Sequence, residues 1–357
     1  MTQIPAPPHA VPQVALAPDY AIPRLIKGNW QLAGGHGRVF KDHAIADMIA
    51  FADAGITAFD CADIYTGVEE MIGSFVRHWR KVRGSDAPPI RVHTKCVPDL
   101  EILPRITRQH IEAIIDRSLA RLGTERLDLV QFHWWDCDIP GCVDAALHLQ
   151  NLQRAGKIHH LGLTNFDAAH VVALLDAGVP IVAHQVQVSL LDARALRTLS
   201  AIARERHVPL LAYGALAGGF LSARWLGAAP PTEPLENRSL TKYRLIIDEY
   251  GGWEAFQDLL RTLARIAALH GTSISTVALR YVLDQPAVAA AIVGARHALH
   301  LDSTLAAIPL TLSGTERAVL EALVTHAPGP AGEVYALERI KGGTHAAIMR
   351  YDLNQPS

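Results

Sequence analysis

Phe59-Asp60-Cys61-Ala62-Asp63-Ile64-Tyr65 decides how this chain is read. The apolar run at 56–59 ends in an aspartate, and a tyrosine follows in the next turn of chain. Two later runs also end in polar groups. Val92-His93-Thr94-Lys95 delivers a lysine, and Leu127-Asp128-Leu129-Val130-Gln131-Phe132-His133 delivers a histidine. In a parallel barrel all strands end on one common face, and that face carries the chemistry. Asp60, Tyr65, Lys95 and His133 are therefore expected to converge on one pocket.

The pattern extends in both directions. Ile45, Met48, Ile49 and Ala52 share one face of a helical segment that stops near Gly55. Between Thr107, a capping residue, and Gly123, residues Ile111, Ile114, Ile115, Leu119 and Leu122 fall on one helical face. A helix-like stretch at 143–155 follows. Further strands are expected at 158–163, 181–185, 208–213 and 288–293. Counted from 25–28, eight candidate strands alternate with helical patterns, which argues for parallel βαβ units closed into an α/β (β/α)8 TIM barrel. An open doubly wound sheet is the structural rival, and it needs a GxGxxG turn after its first strand. Gly34-Gly35-His36-Gly37 has the wrong spacing. Three regions follow. Residues 1–23 are a proline-rich extension read as extended or mobile. Residues 24–327 form the barrel, and residues 328–357 are a tail that packs on or near it. Between Tyr213 and a helix starting near Trp253 lie about 40 residues with Pro230, Pro231 and Pro234, far beyond the usual loop length and read as a covering loop.

Composition narrows the classes of function. The chain has 357 residues, half of them hydrophobic, with a formal net charge of -2. No basic block is present to attract nucleic acid or an anionic membrane. No secretory signal is visible, and no run approaches the length of a membrane span. Cys61, Cys96, Cys137 and Cys142 form no CxxC pair, which fits a reduced, cytoplasmic compartment. The histidines show no ligand spacing, so no metal is expected.

A free phenol with a pKa near 10 is a slow proton donor at neutral pH. A nearby ammonium lowers that value. Lys95 is expected to supply the charge, Asp60 to hold Lys95, and His133 to donate a hydrogen bond to a substrate oxygen. This set suits protonation of a carbonyl oxygen as hydride reaches carbon, or the reverse, with a nicotinamide cofactor as hydride carrier. Taken singly, each group has a structural reading: a helix-capping aspartate, a solvated lysine, a structural histidine, a core-edge tyrosine.

At these residues the chain resembles the aldo-keto reductase superfamily, across roughly residues 24–310. Its pattern is most similar to the subgroup that contains the potassium-channel β-subunit-like reductases. The resemblance implies that Tyr65 is the general acid/base, that Lys95 and Asp60 tune it, and that His133 orients the carbonyl. It also implies a nucleotide site. Gly28-Asn29-Trp30 stands at the first-strand contact, and Asp60 belongs to this set too. Thr164, Asn165 and Gln185 match the carboxamide contacts, and Tyr213 the aromatic that stacks on nicotinamide. Gly214, Ala215, Leu216 and Gly218 resemble a pyrophosphate cradle. Arg224 and Arg238 fall at basic positions around the adenosine half. Gly294-Ala295-Arg296 resembles a last-strand motif in which an arginine suits a 2′-phosphate. That favours NADP, with NAD also possible. The chain departs from the family pattern at His300, Ser303 and Thr304, where glutamine, an acid and an asparagine are frequent; His300 is still counted among the adenosine-side contacts. Trp30, Trp134, Tyr65 and His133 are the expected substrate wall. A Schiff-base aldolase using Lys95 and a nucleotide-binding regulatory subunit with weak reductase activity are the rival functions. A small carbonyl or alcohol is the expected partner.

Overall fold

The computed structural model describes residues 11–354, apart from 35, 36, 38, 85 and 296. Residues 11–23, expected to be extended or mobile, fold into a hairpin. Strand β1 (Gln13–Ala17) pairs antiparallel with β2 (Tyr20–Pro23) around a turn at Pro18 and Asp19. Proline density hid it, because the prolines sit at the turn and the strand end, where no ladder hydrogen bond is lost.

The next eight strands close into a parallel barrel: β3 (Leu25–Gly28), β4 (Ala58–Asp60), β5 (Arg91–Cys96), β6 (Leu127–Phe132), β7 (Ile158–Thr164), β8 (Ile181–Gln187), β9 (Leu210–Tyr213) and β10 (Val288–Gly294), with β10 returning to β3. The eight expected runs are these eight strands. Alternation along each strand sorts the side chains. Ile26, Ala58, Leu129, Ala183, Leu211, Ala290 and Ile292 form an apolar cluster with Leu16, Tyr20 and Ile22 of the hairpin, which plugs the barrel floor. The intervening residues face the outer helices. Phe59, for example, packs on Phe75 of the helix Val68–Arg83, ring centroids 4.8 Å apart.

Local chemistry explains the helices. Arg108–Leu122 begins with a capping box, in which Thr107 Oγ1 accepts from the His110 amide, and ends at Gly123 with φ +67°. The long connection after β9 is not one open loop. Asn237 caps a helix, Arg238–Tyr250, by accepting from the Leu240 amide at 3.0 Å. The tail crosses the barrel mouth as two short helices, Ala336–Arg339 and Thr344–Ala347. Its later residues dock on Asp99, which accepts from the Leu353 and Asn354 amides. Among the described residues, no single helix is long and apolar enough to cross a membrane.

Candidate active site

The mouth is organised around one carboxylate. Asp60 ends β4 pointing into the barrel, in register with Gly28 of β3 and His93 of β5. Lys95 lies two residues beyond His93, on the same face. Its Nζ is 3.0 and 2.8 Å from the two Asp60 oxygens and 2.7 Å from the Cys61 carbonyl, so all three ammonium protons have acceptors. Gln131 and Gln185 also donate to Asp60 Oδ1, at 2.9 and 2.6 Å. All four side chains are buried. A buried ion pair needs such extra donors to offset desolvation.

Tyr65 lies in the turn after β4, its amide bonded to the Ala62 carbonyl. Its ring packs on Trp30, centroids 5.0 Å apart, with Lys95 Nζ 5.3 Å from the ring centroid. Burial, reinforced by the Asp60 charge, holds its pKa well above 10. The expectation that Lys95 lowers this pKa is thus corrected. The ammonium is neutralised by Asp60, and the phenol stays protonated.

His133 follows β6, and its Nδ1 lies 3.0 Å from the Thr164 carbonyl. A carbonyl only accepts, so Nδ1 carries the proton. Burial pushes the pKa down to about 3, which keeps the ring neutral. Nε2 is therefore a bare acceptor, buried and without a partner among the described residues. The expected donor role of His133 does not fit this tautomer, whose Nε2 offers only a lone pair. Trp135 meets its ring edge-on at 4.4 Å, and Tyr335 of the tail at 5.6 Å.

The proposed nucleotide contacts divide. Thr164 and Gln185 are in register on β7 and β8, with Asn165 next in line. They bring a hydroxyl and two carboxamides together, a donor and acceptor set that suits a ligand carboxamide. Tyr213 Oη donates to Asn165 Oδ1 at 2.9 Å, and Lys242 Nζ stands 5.2 Å from its ring centroid. Asn29 is not a free contact. It is fully buried, donates to the Lys27 and Asp60 carbonyls, and accepts from Lys27 Nζ at 2.8 Å. Within the expected cradle of Gly214, Ala215, Leu216 and Gly218, the two glycines pack against a neighbour. Gly214 (φ +77°) and Gly218 (φ +64°) are both needed to admit Tyr243, because a Cβ there would stand 2.3 Å from its Oη or 2.7 Å from its Cδ2. Arg224 is exposed and paired with Glu236 at 2.8 Å. Arg238 opens its helix near Arg350. Gly294 ends β10 against Gln31, and the His300 carbonyl accepts from Ser303 and Thr304. Arg296 lies outside the described residues. Trp134 is fully buried, with Nε1 donating to Ile139. It belongs to the scaffold, which corrects its place in the substrate wall.

Three contributors were not singled out in the sequence. Gln131 reads as filler in an apolar run, yet it helps hold Asp60. Lys27, buried in β3 with its pKa lowered to about 7 by desolvation, donates to the Ala295 carbonyl at 3.1 Å and steadies the end of β10. A lysine inside an apolar run was the available signal. Arg339 of the tail donates to the Trp134, Trp135 and Asn165 carbonyls, so it straps the tail across the mouth.

A family model described as Aldo/keto reductase family matches residues 24–324. The chain belongs to the aldo/keto reductase family. Flagellar radial spoke protein 5 of Chlamydomonas reinhardtii is 30% identical over 262 residues, covering 62% of this chain but only 49% of that longer protein. Protein tas of Escherichia coli K12 is 28% identical over 314 residues, 79% of this chain and 87% of that protein. Aldo-keto reductase YhdN of Bacillus subtilis is 25% identical over 321 residues, 86% of this chain and 92% of that protein. Among solved structures, a glycerol dehydrogenase from Gluconobacter oxydans superposes with a TM-score of 0.72 at 24% identity, covering 88% of this chain and 95% of that one. An aldo/keto reductase from Klebsiella pneumoniae, in complex with NADP and acetate, gives 0.65 at 24% identity, covering 88% and 94%. These likenesses are of fold. With the family match they make the chain an oxidoreductase of the aldo/keto reductase kind.

Proposed function

We propose that the chain reduces a carbonyl compound bearing a neighbouring hydroxyl, with Tyr65 as the proton donor and NADP as the nucleotide. The observation that carries this reading is the Tyr65 phenol ring beside the closed Asp60–Lys95 pair, with Lys95 Nζ 5.3 Å from its centroid. A general acid must hold its proton at working pH, and burial does that here. Bound nicotinamide would supply the hydride. Thr164, Asn165 and Gln185 suit its carboxamide. Lys95 and Asp60 hold the polar corner under Tyr65, and Trp30 fixes the tyrosine ring. His133 Nε2, a buried acceptor without a partner, suits a substrate hydroxyl next to the carbonyl, which favours hydroxyaldehydes and aldoses over plain aldehydes. The Klebsiella relative's NADP and the arginine at 296 support NADP over NAD. Similarity to the channel-subunit-like subgroup fits the long connection after β9.

Matched pairs, such as glyceraldehyde and propanal, assayed with NADPH and with NADH, test this reading. The hydroxylated partner is expected to have a kcat/KM at least about tenfold higher, as a buried polar group left unpaired penalises the plain aldehyde. Equal values would discard the hydroxyl role of His133. The aldolase reading loses support, since Lys95 has all three protons engaged and no lone pair for a carbonyl. A regulatory nucleotide-binding subunit draws on one observation, the Arg339 strap across the mouth. Negligible turnover on every carbonyl in the panel, with tight NADPH retention, would favour it.

A further inference from the structure

The barrel floor holds a polar cluster that the reduction chemistry does not use. The β1–β2 turn places Asp19 against the start of β7, where His159 and His160 stand side by side. His159 Nε2 is 2.8 Å from Asp19 Oδ2, and His160 Nε2 is 3.0 Å from Asp19 Oδ1. The two imidazole rings lie 4.1 Å apart, and one ligand atom from each residue falls within 4.8 Å of the others.

Hydrogen bonding does not exhaust these groups. His160 is 8% exposed, and among the described residues its buried Nε2 makes no aligned hydrogen bond despite its nearness to Asp19. Nδ1 of His159 is likewise buried without a partner among the described residues. Two adjacent imidazoles repel as cations. Two imidazole nitrogens and a carboxylate oxygen, gathered within 4.8 Å of one another, are the donor set of zinc and its divalent neighbours. The exposed side of Asp19 leaves a route for the ion and room for water ligands.

We propose that Asp19, His159 and His160 form a divalent transition-metal site of the zinc class, which pins the hairpin turn to the barrel floor. The site is structural. It lies at the opening end of β7, four residues and about 13 Å of strand from Thr164 at the mouth. The ion ties residue 19 to residues 159 and 160 and stabilises the folded chain by mass action. Among the described residues His159 Nδ1 has no acceptor to orient its ring, so affinity falls below that of sites with a complete outer shell.

The full-length chain, stripped with chelator, is titrated with Zn2+ by calorimetry and with Co2+ by visible absorption. One equivalent is expected, with a Co2+ spectrum lacking a thiolate charge-transfer band. Asp19→Ala and His159→Ala should each weaken Zn2+ binding at least about tenfold, as loss of a ligand exceeds the loss of an outer-shell partner. Zn2+ should raise the melting temperature of the wild-type chain but not that of Asp19→Ala. A second cluster of Cys137, Asp167 and His170 lies elsewhere in the fold. Zn2+ binding that survives both substitutions, or that vanishes in Cys137→Ser, would mean an adventitious ion only at the floor and would overturn the proposal. Absence of saturable binding would do the same.

Discussion

Two buried polar clusters of this barrel, the Asp60 network at the mouth and the histidines toward the floor, are satisfied to different degrees. At the mouth, Asp60 accepts from Lys95, Gln131 and Gln185, and the lysine is fully engaged. At the floor, both ring nitrogens of His93, the hydroxyl of Tyr20 and a nitrogen on each of His159 and His160 have no partner among the described residues. A satisfied network fixes geometry, whereas unsatisfied groups cost stability or await a ligand. The Asp60–Lys95 network is therefore preorganised by its own side chains, whereas His133 Nε2 beside it shares the unsatisfied state of the floor histidines.

Acid should expose the difference most. Burial lowers the pKa of His93 to about 4 and those of His133 and His184 to about 3. These folded values lie below the unfolded value near 6.5. The stability tied to the neutral rings is complete above pH 6.5 or so and is lost as pH falls toward the folded values. Urea denaturation between pH 7 and 5 should show a loss of up to roughly 4 kcal/mol per pH unit from the three rings together. A flat profile would mean that the rings are solvated.

Next in size, Lys95→Met leaves Asp60 buried without its counter-charge. Urea denaturation should give a loss of about 3–5 kcal/mol, partly recovered in Asp60→Asn/Lys95→Met. A loss below about 1 kcal/mol, the value for exposed pairs, would contradict the closed network. The smallest effect belongs to the floor side. His93→Leu removes two unpartnered nitrogens at similar volume, so stability at pH 7 should change by less than about 1 kcal/mol, and the acid slope should flatten by about one third. A large loss at pH 7 would show that His93 has partners after all.

The barrel was legible because its strands are short apolar runs, several of which end at or beside a glycine or a functional polar residue, as at Gly28, Asp60, Lys95 and Thr164. The Asp60–Lys95 pair was legible for the same reason. Direction of hydrogen bonding was not. Which nitrogen of His133 carries its proton depends on a carbonyl 31 residues away, that of Thr164. Burial, reinforced by the Asp60 charge, likewise reverses the shift expected for Tyr65. The hairpin was hidden by prolines, and the helix Arg238–Tyr250 by Pro230, Pro231 and Pro234 just before its Asn237 cap. Gly214 and Gly218 marked a close approach correctly in kind, but the group that approaches is Tyr243.

The central claim is that the Tyr65 hydroxyl delivers the proton. Tyr65→Phe removes that oxygen and leaves the ring against Trp30. Steady-state reduction of a hydroxyaldehyde, measured beside a tryptophan-fluorescence titration with NADPH, separates chemistry from binding. The expected result is a kcat lower by about 10²–10⁴-fold, the usual contribution of a positioned acid, with NADPH affinity retained. A variant that turns over near the wild-type rate would contradict it.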